Sequence, residues 1–182
     1  MNENDRSTLH VAEFAEIRSA ACRCGRNSGE FRYGVACESA EPDMKLHEYL
    51  ADFEGAEPEE ALEMLIEFSD RLPPLSAGRA AGQMPASCRI QECQTPVYLW
   101  IDREGEQVRL EAAVPEQSPT VRGFVALLVE GLAGASPAEI AALPDDFLPL
   151  LGLASTLGMT RHKGFRGIVA RIKGAVAAKG PG

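Results

Sequence analysis

The sequence predicts an α+β domain in which a small antiparallel β-sheet is flanked by α-helices. Three observations carry the prediction. Two adjacent runs, 97–102 and 107–114, have strand patterning and are separated by a glycine-containing turn. Apolar residues recur at helical spacing on both sides of that pair. No strand–helix–strand alternation and no internal repeat occurs, so a parallel sheet or solenoid is not expected.

The elements follow in order. Residues 1–43 show little periodicity beyond a short helical pattern at Leu9–Ala20, and a Gly/Ser/Asn-containing run leads to Pro42 and Asp43. Such a stretch cannot bury enough apolar surface to offset its ordering entropy. It reads as a disordered extension or, since Met44 opens the regular part, as a misassigned start. The domain proper is expected over 44–179. Residues Glu59–Leu72 place Leu62, Leu65, Ile66, Ser69 and Leu72 on one helical face. Pro58 suits the first turn and Pro73–Pro74 stops the helix. A Gly-, Ala-, Ser- and Pro-rich stretch then runs to Gln94 as loop. The apolar run from Val97 to Asp102 is the first strand. Arg103, Glu104, Gly105 and Glu106 form the turn, and Val108, Leu110, Ala112 and Val114 alternate along the second strand. Ser118 with Pro119 reads as an N-cap and first-turn proline for a helix through Val121, Phe124, Val125, Leu128 and Leu132. Ser136 and Glu139 form a capping box for a short helix. A last helix from about Thr160 carries Phe165, Ile168, Val169, Ile172 and Val176 on one face and basic residues on the others.

Composition narrows the function. The chain has 182 residues, 45% of them hydrophobic, and a formal charge of -9. That charge argues against a chain built to wrap nucleic acid. The acids end at Asp146, and Arg161, Lys163, Arg166, Arg171, Lys173 and Lys179 follow, so an acidic body ends in a basic element. No stretch is long and apolar enough for a membrane span. The first residues hold Glu3, Asp5, Glu13 and Glu16 and no apolar signal core, so a cytoplasmic address is expected. No phosphate-binding glycine loop, nucleophile elbow or metal-binding histidine pair is present.

Cysteine remains as the reactive group, and five are present. An odd count at uneven spacing reads as free thiols. Cys22, Cys24 and Cys37, with His10, match no usual zinc spacing and read as incidental, so no metal site is expected. Cys88 and Cys93 are separated by four residues, which leaves a redox pair between them open. Cys93 alone lies in a polar, kinked segment running straight into the first strand. Two readings stand beside each other: a buried inert thiol, or a nucleophile at a loop tip on a rigid scaffold. No histidine flanks it, and Glu92 beside it opposes a thiolate. A cysteine without a local base suits sulfur exchange better than hydrolysis.

Four segments, in order, resemble the landmarks of the SufE family. They are Leu65–Leu75, Glu92–Leu99, Pro119–Phe124 and Thr160–Phe165, and the resemblance spans roughly 44–177. It implies a compact α+β fold with a curved antiparallel sheet covered by helices. It also implies an accessory sulfur carrier, not an autonomous enzyme. Cys93 would take persulfide sulfur from a SufS-type, PLP-dependent cysteine desulfurase, stimulate that enzyme, and pass the sulfur to iron–sulfur scaffold proteins. The chain itself would need no cofactor, because PLP resides in the desulfurase. The resemblance assigns Cys93 as the persulfide-forming nucleophile, in a hydrophobic cavity. Arg161, at the arginine of the family's Ser-Arg-x-x-Gly pattern, Arg122 and Gln94 are its implied partner-contact residues; a solvated helix position is the plain alternative for both arginines. Partners other than nucleic acid and membrane are therefore expected, with the chain a monomer or weak homodimer. Three departures stand out: the family's usual glycine before the cysteine is Glu92 here, its acidic Asp-Ser-Asp stretch reads Pro115, Glu116 and Gln117, and Cys88 is an addition. The competing reading is a non-catalytic binding module of the same fold, with Cys93 structural and the basic last helix docking an acidic partner. A metal scaffold, the third class, would need Cys88 and a further ligand to join Cys93.

Overall fold

The computed structural model describes residues 45–178. The helix expected at 9–20 and the cysteines Cys22, Cys24 and Cys37 lie outside the described residues. Within them, α1 (Leu46–Asp52) is followed by α2 (Pro58–Glu67), the four-residue α3 (Ala77–Ala80), strands β1 (Tyr98–Glu104) and β2 (Gln107–Ala113), then α4 (Pro119–Gly131), α5 (Pro137–Ala142) and α6 (Met159–Ala178). The architecture is α+β, as expected.

The sheet is the hairpin anticipated from the alternating runs. β1 and β2 pair antiparallel from Tyr98 opposite Ala113 to Glu104 opposite Gln107. The turn narrows to Gly105 and Glu106, and Gly105 takes a φ of 64°, a conformation that favours glycine. Val108, Leu110 and Ala112 are buried with Leu99 on one face. A lone hairpin is marginal in water and needs helices to cover it. The inner face packs on α4. Across the outer face lies α3, whose Arg79 sits over the Trp100 ring with 5.6 Å between guanidinium carbon and centroid. Arg79 also pairs with Asp102, and its Nη1 lies 3.2 Å from Glu111 Oε2. Within the stretch read as loop, α3 and a 3-10 turn at Ala86–Cys88 are thus ordered against the strands.

α4 is the central element. Val121 and every residue from Gly123 to Val129 are buried, which is what a helix apolar on all sides requires. A Cβ at Gly123 would lie 1.7 Å from the Leu65 carbonyl oxygen, so α4 and α2 touch backbone to backbone. Phe124 stacks on Phe165 of α6 with centroids 4.2 Å apart. The α6 face expected from its periodicity is buried throughout: Phe165, Ile168, Val169, Ile172 and Val176.

Three local expectations need correction. The helix predicted over 59–72 stops at Glu67 and tightens into a 3-10 turn over Phe68–Arg71. Leu72 is already extended (φ -61°, ψ 116°), as a residue before proline must be. Ile66 is not on the buried face: Ala61, Leu65 and Phe68, at i, i+4, i+7 spacing, are buried while Ile66, next to Leu65 in sequence, is 38% exposed. Ser118 precedes α4 but makes no side-chain cap; its hydroxyl instead faces Thr95 Oγ1 at 3.4 Å. The capping box at Ser136 and Glu139 forms as read.

Candidate functional site

The segment before β1 is folded back on itself. Arg89 bridges Tyr98, and Ile90 N–H donates to the Val97 carbonyl at 2.9 Å, closing the loop Gln91–Pro96. Cys93 lies within that loop. Its side chain points inward, and the residue is only 7% exposed. Both Cys88 and Cys93 are free thiols, and Cys88 is half-buried.

Cys93 opens onto a cavity of about 370 Å³. First-turn residues of α4 (Pro119, Thr120 and Val121) and of α6 (Thr160 and Arg161) line it, together with Phe165 and Gln94. Two helix N-termini therefore border the sulfur. Helix N-termini favour anions through their aligned peptide dipoles and free N–H groups. Arg161 adds a full positive charge. Burial nevertheless pushes the Cys93 thiol up, outweighing the Thr95 backbone and side-chain hydrogen bonds and the charge of Arg89 that pull the other way. Burial thus disfavours the thiolate at Cys93, although the groups beside it would welcome an anion.

Of the residues singled out by sequence, Cys93, Gln94 and Arg161 line one cavity. Gln94 and Arg161 are exposed at its rim. Arg122 lies apart: its Nε donates to the Ser69 carbonyl at 2.9 Å and its Nη1 to the Val114 carbonyl at 2.7 Å. It ties the end of α2 to the exit of β2. Sequence reading missed Thr95, which faces the sulfur, and Arg171, whose Nη2 donates to the Ser87 carbonyl at 2.6 Å. It also missed Gly164 and Gly167, which sit under the Cys93 loop. Paired glycines three apart inside an otherwise regular helix were the available signal. Among the described residues, no three His, Cys, Asp or Glu side chains converge as a metal site, and no helix is long and apolar enough to cross a membrane.

The described residues form a small α+β domain of hairpin and helices, with the buried Cys93 thiol at a cavity between two helix starts. Comparison with known proteins gives the family. A family model described as SufE, Fe-S metabolism associated domain, matches residues 47–176. The chain belongs to the SufE family. An uncharacterized SufE-like protein of Mycobacterium tuberculosis is 36% identical over 129 residues, 70% of this chain and 88% of its own. A protein named cysteine desulfuration protein SufE from Plasmodium vivax is 30% identical over 99 residues, 53% of this chain and 40% of that one. The solution structure of a hypothetical protein from Thermus thermophilus matches with a TM-score of 0.62 at 32% identity, over 74% of this chain and 94% of that chain.

Proposed function

We propose that this protein is a sulfur acceptor for a PLP-dependent cysteine desulfurase of the SufS type, with Cys93 as the accepting group. The observation that carries the reading is the sheltered Cys93 thiol at a cavity bordered by Arg161 and two helix N-termini. Cys93 sulfur attacks the outer sulfur of the desulfurase's cysteine persulfide. The sulfur–sulfur bond of the donor breaks, its cysteine leaves as thiolate and takes up the Cys93 proton, and a persulfide forms on Cys93. The exchange involves no net oxidation and needs no activated water, so the lack of a neighbouring base is no obstacle. The terminal persulfide sulfur carries negative charge, which the α4 and α6 N-termini and Arg161 stabilise. Gln94 and Arg161, exposed at the rim, are the partner contacts. Arg122, with two donors engaged by backbone carbonyls, serves this surface by holding the α2 end and the β2 exit in place. Onward transfer goes to an iron–sulfur scaffold protein, and acceptance of sulfur accelerates desulfurase turnover.

Burial of Cys93 favours a second reading, a binding module with a structural cysteine. Intact-protein mass after incubation with desulfurase, PLP and free cysteine separates the two. A gain of about one sulfur atom, removed by reductant, is expected through thiol–persulfide exchange. Cys93→Ser should abolish that gain while leaving desulfurase binding intact. No gain on a thiol that alkylates normally, with an active desulfurase present, would overturn the carrier reading.

A further inference from the structure

The loop that carries Cys93 rests on α6 at two glycines. A Cβ placed on Gly164 would lie 3.2 Å from Cys93 Sγ and 3.5 Å from its Cα and Cβ. A Cβ placed on Gly167 would lie 2.6 Å from Glu92 Cβ and 3.0 Å from its Cγ. The second distance is shorter than carbon atoms tolerate, and Cβ is not the free end of a side chain, so the Glu92 backbone would have to move. Gly174, on the same helix, meets nothing within 4 Å. The close approach is therefore local to the Cys93 loop and not a general property of α6.

The loop is tethered at its base. Arg171 Nη2 holds the Ser87 carbonyl on α6 at 2.6 Å, and the Ile90 N–H to Val97 carbonyl bond closes the loop base at 2.9 Å. A displacement imposed at Glu92 is absorbed between Gln91 and Pro96, where Cys93 is the next residue. We propose that Glu92 and Gly167 form a positioning pair: their contact sets how deeply Cys93 Sγ sits in its cavity and so how readily the thiol meets a sulfur donor. The consequence for sulfur transfer rests on the carrier reading above; the geometry does not. A bulky residue at 92 and an absent side chain at 167 are two halves of one fit.

The test is a mutant cycle on the full chain, read as the rate at which iodoacetamide modifies Cys93, followed by peptide-resolved mass spectrometry. Gly167→Ala lifts the loop and speeds modification by about fivefold or more, the scale on which contacting residues couple. Gly174→Ala on the same helix changes the rate by less than about twofold, the ordinary error of independent sites. Glu92→Gly removes the opposing Cβ, so Glu92→Gly with Gly167→Ala matches Glu92→Gly alone. Glu92→Ala keeps the Cβ, so in its background Gly167→Ala still accelerates modification. The pair is overturned if Gly167→Ala leaves the rate unchanged, or changes it equally with and without a Cβ at 92. Should Gly167→Ala fail to fold, recovery of the fold by Glu92→Gly supports the pair and lack of recovery overturns it. Sulfur uptake is measured separately on the same proteins. A wild-type chain that accepts no sulfur sinks the carrier reading and leaves the alkylation cycle to judge the pair.

Discussion

At the scale of single residues, Cys93 and Arg122 show what burial does to a thiol and what backbone partners do for a guanidinium. Burial pushes the Cys93 thiol up, against the Thr95 hydrogen bonds and the Arg89 charge. Its alkylation rate should therefore rise with pH along a curve centred above the free-thiol value of about 8.5. Thr95→Val removes a hydroxyl that favours the thiolate and should move the midpoint higher still; a midpoint moving down would contradict the assigned contact. The same proton is held more tightly in the folded chain than in the unfolded one. Its contribution to stability is complete below the unfolded thiol value and fades as pH rises through the raised folded one. Arg122 instead donates to the Ser69 and Val114 carbonyls. Arg122→Met should lower stability by about 2–3 kcal/mol, since hydrogen bonds to charged groups contribute about 1.5–3 kcal/mol each and the site is only partly buried. Urea denaturation checks this. Arg161, exposed and bound by its backbone N–H to the Gly158 carbonyl at 2.9 Å, should give Arg161→Ala near-native stability but slower sulfur uptake from the desulfurase.

At the scale of elements, α4 and α6 hold glycines for different reasons. Glycine inside a helix costs about 1 kcal/mol relative to alanine unless a contact requires its bare Cα. Gly123 has one, because its bare Cα lets α4 meet the Leu65 carbonyl. Gly123→Ala should force α4 off α2 and cost about 3 kcal/mol or more, at the upper end of overpacking changes. Gly174 has no such contact, so Gly174→Ala should stabilise the protein by about 1 kcal/mol. Thermal unfolding of the two variants gives shifts of opposite sign; equal signs would show that the α2–α4 approach is wrongly placed. α2 makes a related point: Leu72, extended ahead of Pro73, ends the helical run, and Phe68 continues the buried Ala61–Leu65 face that leaves Ile66 outside.

At the scale of the whole molecule, the hairpin, the α4 helix and the apolar face of α6 were legible because each has its own period, read without knowledge of its neighbours. Phe165, Ile168, Val169, Ile172 and Val176 needed nothing more than spacing. The short helix at Ala77–Ala80 was not legible, because its order comes from Arg79 reaching Trp100, Asp102 and Glu111 on strands more than twenty residues away. The site divides the same way. Cys93 stood out by its loop and by resemblance, whereas Thr95, Gly164 and Gly167 matter through contacts that only folding creates. Ser118 shows the reverse: a local cap signal that lost its hydroxyl to Thr95 across the cavity. The position of α6 as the shelter of Cys93 has a further consequence for how the protein is made. On the ribosome the thiol emerges long before the helix that covers it, since chains fold as they are synthesised from the N-terminal side. Until α6 is released, the nascent chain carries an unshielded cysteine, so the life of a guarded thiol begins with a brief interval in which translation speed governs its exposure to oxidants.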